Sequence, residues 1–133
     1  MEEIELMTLA ELENLERKVR NQIMKLLEYG KIDRKELFKR KRELIFDYID
    51  EQFNIPKSIV IGRCRKFQYV AIRYTLTKLF YDYLNHLVNV GLELGNRHHS
   101  TVIHSLKKYN DLRYSDEEFD YYAELIEREW EKL

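Results

Sequence analysis

The sequence predicts an all-α protein, a multi-helix bundle that contains a helix-turn-helix. Three observations carry this. Only four glycines and one proline interrupt the 133 residues, so few positions force a helix to stop. Apolar residues recur at three- and four-residue steps through most of the chain, the spacing that gathers them on one helical face. No alternation of apolar and polar residues lasts long enough to specify a strand, and Ser58–Ile61 is the one β-leaning run.

The elements follow in order. Thr8-x-x-Glu11 reads as a capping box, in which a side-chain oxygen accepts from an orphan N–H of the first turn. Leu9, Leu12, Leu15, Val19, Ile23 and Leu26 then form a stripe, and Gly30 suits the helix's C-terminal cap. Asp33-x-x-Glu36 starts a second helix, with Leu37, Leu44, Ile45, Tyr48, Ile49 and Phe53 as its apolar positions. Asn54-Ile55-Pro56 ends it, because proline disfavours helical geometry in the residue before it. Lys57–Lys66 is a basic connector around Gly62. A third helix is expected over Gln68–Asn85, with Ile72, Leu76, Leu79, Phe80 and Tyr83 inward. A short helix over Leu87–Leu94, a tight turn at Gly95-Asn96-Arg97 and a helix over His99–Leu112 come next. Ser115-x-x-Glu118 opens a last helix carrying Phe119, Tyr122, Ile126 and Trp130 on one face. The division expected is an N-terminal helical extension (1–32), a helix-turn-helix domain (33–113) and an acidic helix packed on it (114–133). The first helix has two readings, folding back on the second helix or pairing with a second chain. The short Gly30–Asp33 link suits an antiparallel hairpin and favours folding back.

Composition narrows the function classes. Hydrophobic residues make up 44 % of the chain, too many for a disordered polymer. No stretch approaches the roughly 20 apolar residues of a membrane span. The start, with Glu2, Glu3 and Glu5, lacks the basic beginning of a secretory signal. The single cysteine, Cys64, excludes an internal disulfide, so a cytoplasmic protein is expected. The net charge of −1 hides a segregation. Residues 57–113 carry ten Lys/Arg against three acids, whereas 114–133 carry two against eight. A basic middle between acidic ends is the footprint of a phosphate-binding surface, or more blandly of a solvated face.

The segment 87–112 has helix-turn-helix dimensions. At about 100° per residue, Val102, Ile103, Leu106 and Tyr109 share one side of its second helix, and Ser100, Thr101, His104, Lys107 and Lys108 the other. The apolar side anchors the helix. The polar side carries hydroxyls, an imidazole and two ammonium groups suited to base edges and phosphates, and its free N–H groups favour an anion. On pattern alone an ordinary surface helix of a bundle fits equally.

At these residues a family resemblance appears. Gly95-Asn96-Arg97-His98-His99-Ser100-Thr101-Val102-Ile103-His104 is similar to the signature of the C-terminal DNA-binding domain of the bacterial replication initiator DnaA, GGRDHTTVIHA or close to it. Arg63-Cys64-Arg65-Lys66 resembles that family's basic loop, with Arg73 on the helix after it. Leu87-x-x-Val90-Gly91 resembles its L-x-x-I-G, and Ile45–Ile55 the helix before the loop. The resemblance covers roughly residues 40–113. It implies a fold of the DnaA C-terminal, Trp-repressor-like kind and recognition of a DnaA-box-like duplex. By position it puts His98, His99 and Ser100 on bases in the major groove and Arg65 in the adjacent minor groove. It gives Arg63, Lys66, Arg73, Arg97, Thr101, His104, Lys107 and Lys108 to phosphate. Three departures stand out. Asn96 replaces a turn glycine, His98 replaces the signature aspartate, and Ile72 stands where proline is common. No GxxxxGK[ST] phosphate loop occurs, so what is implied is a DNA-binding domain without the ATPase module. Its expected role is replication initiation or its regulation, at the bacterial nucleoid, by analogy in a phage or mobile element.

Other chemistries find little support. His86, His98, His99 and His104 lack a carboxylate or second cysteine at zinc spacing. Cys64 between Arg63 and Arg65 reads as a loop thiol. Tyr74, Tyr83, Tyr109 and Tyr122 fall at apolar helical positions and are expected in the core rather than stacked on single strands. The expectation is therefore a non-enzyme with no cofactor or metal and no membrane contact. Its expected partners are double-stranded DNA and, through the N-terminal helix, a second copy or a replication protein. The alternatives are a protein-interaction bundle or a non-specific DNA binder.

Overall fold

The computed structural model describes residues 8–29 and 34–133, with side chains described outside 25–29. Its helices, in order, are α1 (Leu9–Tyr29), α2 (Arg34–Phe53), α3 (Lys57–Val60), α4 (Phe67–Leu84), α5 (Leu87–Glu93), α6 (His99–Leu112) and α7 (Glu117–Lys132). Contacts group the chain into two units, 1–39 and 40–133.

In the first unit, α1 starts as the capping box requires, with the Thr8 hydroxyl accepting from the Glu11 N–H at 3.2 Å. The described part of its apolar stripe is exposed. Leu9, Leu12, Leu15, Val19 and Ile23 are between 43 and 72 % exposed. The Gly30 cap, the Asp33 start of the second helix and the Leu26 side chain lie outside the described residues, as does the link on which the fold-back expectation rests.

In the second unit, the core begins on α2 with Ile45, Phe46 and Ile49. Phe46, not Leu44, takes the inward position, and Leu44 is exposed. The helix stops at Asn54, which adopts a left-handed φ of 57° and donates its N–H to the Asp50 carbonyl at 2.8 Å. Asparagine tolerates this conformation better than other side-chain-bearing residues. The connector after Pro56 is not wholly irregular. Its first residues form α3, pinned by the buried Val60, a turn that no apolar periodicity in so short a run could announce.

The central element is α4. It buries Ala71, Ile72, Arg73, Thr75, Leu76, Thr77 and Phe80, so it is covered on more than one side. Its buried hydroxyls are satisfied locally, Thr75 donating to the Ala71 carbonyl at 2.9 Å and Thr77 to the Arg73 carbonyl at 2.7 Å. Helices α6 and α7 both pack on it. From α7 come Phe119, Ala123, Ile126 and Trp130, all buried. At roughly 1.5–3 kcal/mol for each large apolar side chain, these contribute substantially to holding the bundle closed. Of the four tyrosines expected in the core, Tyr109 is buried, and Tyr74, Tyr83 and Tyr122 are half-buried.

The start of α7 differs from the expected capping box. Asp116, not Ser115, is the cap, its carboxylate accepting from the Phe119 N–H at 2.9 Å. Tyr114 turns the chain with a φ of 77° and Ser115 donates back to the Asp111 carbonyl, which moves the helix start on by one residue. Arg113 joins α6 to α7 through Asp120 at 2.7 Å and Glu127 at 3.0 Å. This removes Arg113 from the solvent-facing charge of the basic segment. No helix among the described residues is long and apolar enough to cross a membrane.

Candidate nucleic-acid interface

The helix-turn-helix is held tight by the absence of a side chain. At Gly91 on α5, a β-carbon would overlap the Arg97 carbonyl oxygen. Without one, the Arg97 N–H reaches the Gly91 carbonyl at 2.8 Å and closes the turn. The turn runs through Gly95 (φ 84°) and Asn96 (φ 57°), so Asn96 reaches the left-handed conformation that glycine would otherwise supply.

The helix α6 then presents two faces. Val102, Ser105 and Tyr109 are buried and Leu106 is half-buried. Ile103, expected to anchor the helix, is 37 % exposed instead, and the small Ser105 is buried. His98, His99, Ser100, Thr101, His104, Lys107 and Lys108 are all exposed.

The helix begins at His98, which does the work of a capping carboxylate. Its Nδ1 accepts from the Ser100 N–H at 3.2 Å and lies 2.8 Å from the Ser100 hydroxyl. A neutral imidazole that accepts at Nδ1 carries its proton on Nε2, so capping leaves an N–H donor free at the far side of the ring. The His98 and His99 rings lie 4.0 Å apart, centroid to centroid.

The basic loop stands beside this face. Arg63, Cys64, Arg65 and Lys66 are exposed, whereas the two other arginines turn inward. Arg73 is 7 % exposed and donates from Nε to the Val60 carbonyl at 2.8 Å and from a terminal nitrogen to the Cys64 carbonyl at 3.2 Å. Arg97 donates to the carbonyls of Ile61 (2.9 Å), Gly62 and Leu94. These two side chains bolt the loop to α4 and to the turn. Arg73 and Arg97, both expected on phosphate, make backbone contacts in this structure. The physical reason is that the loop's turned-in carbonyls need donors, and a guanidinium supplies several in a fixed fork. Burial lowers the pKa of both, and the neighbouring Arg97 and Arg63 respectively lower it further.

Between loop and helix lies an open cleft of about 710 Å³, with Arg63 and Arg65 on one side and His98, Thr101 and His104 on the other. Tyr74, half-buried, also lines it, and its ring meets His104 edge-on at 6.4 Å. Sequence reasoning placed Tyr74 in the core. Its position directly after Arg73 is the signal that it borders the loop. Cationic walls and outward hydroxyl and imidazole groups make the cleft a receptor for a polyanion with polar edges.

Comparison with known proteins agrees with this geometry. The family model "Bacterial dnaA protein helix-turn-helix" matches residues 42–108. The chain belongs to this family. The chromosomal replication initiator protein DnaA of Flavobacterium psychrophilum is 28 % identical over 93 residues, covering 66 % of this chain. The match spans 20 % of that relative's length. No solved structure matches. The candidate surface is thus that of a DnaA-type helix-turn-helix, a DNA-binding element.

Proposed function

We propose that this DnaA-type domain recognises a specific double-stranded site of the DnaA-box kind, in replication initiation or its regulation. The observation that carries the reading is the joint presentation of two exposed elements, the polar face of α6 and the Arg63–Lys66 loop, on either side of one cleft. An α-helix fits a major groove, and an arginine-bearing loop fits the narrow minor groove beside it. In this reading His98, His99 and Ser100 meet base edges from the first turn of α6, and Arg65 enters the minor groove. Arg63, Lys66, Thr101, His104, Lys107 and Lys108 hold phosphate, while Arg73 and Arg97 hold the loop. The outward Nε2–H of His98 donates, so it favours a base acceptor such as guanine O6 or N7 over the cytosine amino group that an aspartate would accept from. Residues 33–113 are the reading domain, 114–133 brace it, and 1–32 form an extension for a partner.

The test is binding to a DnaA-box duplex and to a scrambled duplex at several salt concentrations, followed by selection from random sites. The expected result is tighter binding to the box, with affinity falling as salt rises. Equal affinity for both duplexes removes sequence specificity from the proposal. Absence of binding at low salt removes DNA altogether.

A further inference from the structure

The stripe on α1 is the largest feature that the DNA reading leaves unused. Its 21 residues span about 31 Å at 1.5 Å per residue, and Leu9, Leu12, Leu15, Val19 and Ile23 stay exposed along it. The charges flanking the stripe are sorted. Every ionic residue before position 17 is acidic, ending in Glu11, Glu13 and Glu16, and those from Arg17 to Lys25 are all basic. Up to Lys25 the helix therefore has an acidic half and a basic half, with Glu28 following in its last turn.

This sorting discriminates between occupants. A second α1 laid parallel would set acid against acid and base against base. The fold-back hairpin does the same, because α2 begins basic and ends acidic. Residues 34–42 hold six Lys/Arg and one acid, and 43–53 hold four acids and no base. Folding back would bring the basic half of α1 alongside the basic half of α2. Only an antiparallel second copy sets each acidic half beside a basic one.

We propose that α1 pairs with the α1 of a second copy of this chain, antiparallel, about a two-fold axis near Arg17–Lys18. In that register Leu12 lies opposite Ile23 of the other copy and Leu15 close to its Val19. Glu13 runs beside Arg20. The pairing is isologous, so the same residues serve both chains and the assembly closes at two. Within one helix, Glu16 and Arg20 already pair at 2.6 Å, but both side chains are more than 60 % exposed and exchange readily for partners on the second copy. The inference is independent of what the helix-turn-helix binds.

Sedimentation equilibrium of the full chain across the micromolar range tests it. The expected mass is twice the 16.4 kDa of one chain, and a monomer throughout overturns the proposal. Val19→Glu should give a monomer with unchanged helix content by circular dichroism. Reversing Arg17, Lys18, Arg20 and Lys25 to Glu makes every ionic residue of the helix acidic and should also dissociate the dimer. A dimer that survives this reversal refutes the charge argument. Orientation is read by disulfide trapping in a Cys64→Ser background, by mixing Leu12→Cys chains with Ile23→Cys chains. Mixed 12–23 disulfides support the antiparallel pair. Each variant trapping mainly itself refutes it.

Discussion

Replacing Arg97 by alanine separates two roles that an arginine beside DNA can play. In the structure its guanidinium donates to three carbonyls, those of Ile61, Gly62 and Leu94. A hydrogen bond from a charged donor contributes about 1.5–3 kcal/mol. Arg97 is only partly buried, so water replaces some of what the substitution removes, and a total loss of about 2–4 kcal/mol is expected. At about 5 °C per kcal/mol for a domain of this size, the melting temperature should fall by roughly 10–20 °C. DNA affinity should fall as well, because the loop is no longer fixed beside α6. The slope of log affinity against log salt should not change, because no phosphate partner has been removed. Lys107→Ala is the control. It leaves the melting temperature unchanged and lowers the slope by about 0.9, the share of one phosphate contact. If Arg97→Ala leaves stability intact and reduces the slope by a full contact, the guanidinium faces phosphate and the bolting role is wrong.

Further outcomes follow from the same geometry. Arg65→Ala and Thr101→Ala should each weaken duplex binding while circular dichroism shows full helix content; loss of helix in either would mean that the assigned surface is structural. Gly91→Ala should lower stability even though alanine favours a helix by about 1 kcal/mol, since its β-carbon meets a backbone oxygen and overpacking of this kind costs about 1–3 kcal/mol or more; an unchanged melting temperature would contradict the close approach. Acid should loosen the α6–α7 joint. The Tyr114 N–H and then Arg113 hold the Asp120 carboxyl below its ordinary pKa of 3.8. A group depressed in the folded state stabilises above its unfolded pKa and loses that contribution as pH falls through the folded one. Urea midpoints should therefore drop below about pH 4, and Asp120→Asn should flatten that part of the profile; an identical profile in the variant would show that Asp120 is not the group responsible.

Much of the architecture was legible because it rests on spacing. The cap at Thr8, the turn at Gly95-Asn96-Arg97 and the span His99–Leu112 depend on local patterns, and the structure shows each. The misplacements arise where tertiary contacts decide. Ser115 carries a capping sequence, but the turn at Tyr114 hands the cap to Asp116. Leu44 and Phe46 are both apolar neighbours of Ile45, and only packing selects Phe46 as the buried one. Arg73 and Arg97 show inward contacts that the sequence does not announce. An arginine that grips a carbonyl and one that grips a phosphate look alike in sequence, because the same donors serve both. What differs is whether the neighbouring loop turns its carbonyls inward, and that is a property of the folded chain. His98 replaces an acidic residue in the family signature, yet it still accepts at the helix start. A sequence comparison by charge would miss this shared acceptor.

The two inward arginines also govern how the protein meets a duplex. Because Arg73 and Arg97 fix the Arg63–Lys66 loop to the frame of α4 and the turn, the gap between loop and helix is set before any ligand arrives. On the duplex reading, that gap acts as a caliper laid across one sugar-phosphate ridge. DNA whose adjacent grooves already match the span is gripped without distortion. A stretch with a wider minor groove must be squeezed to fit, and the work of squeezing appears as weaker binding. The domain would then discriminate at base pairs that none of its side chains touches, by stiffness and groove width rather than by hydrogen bonds.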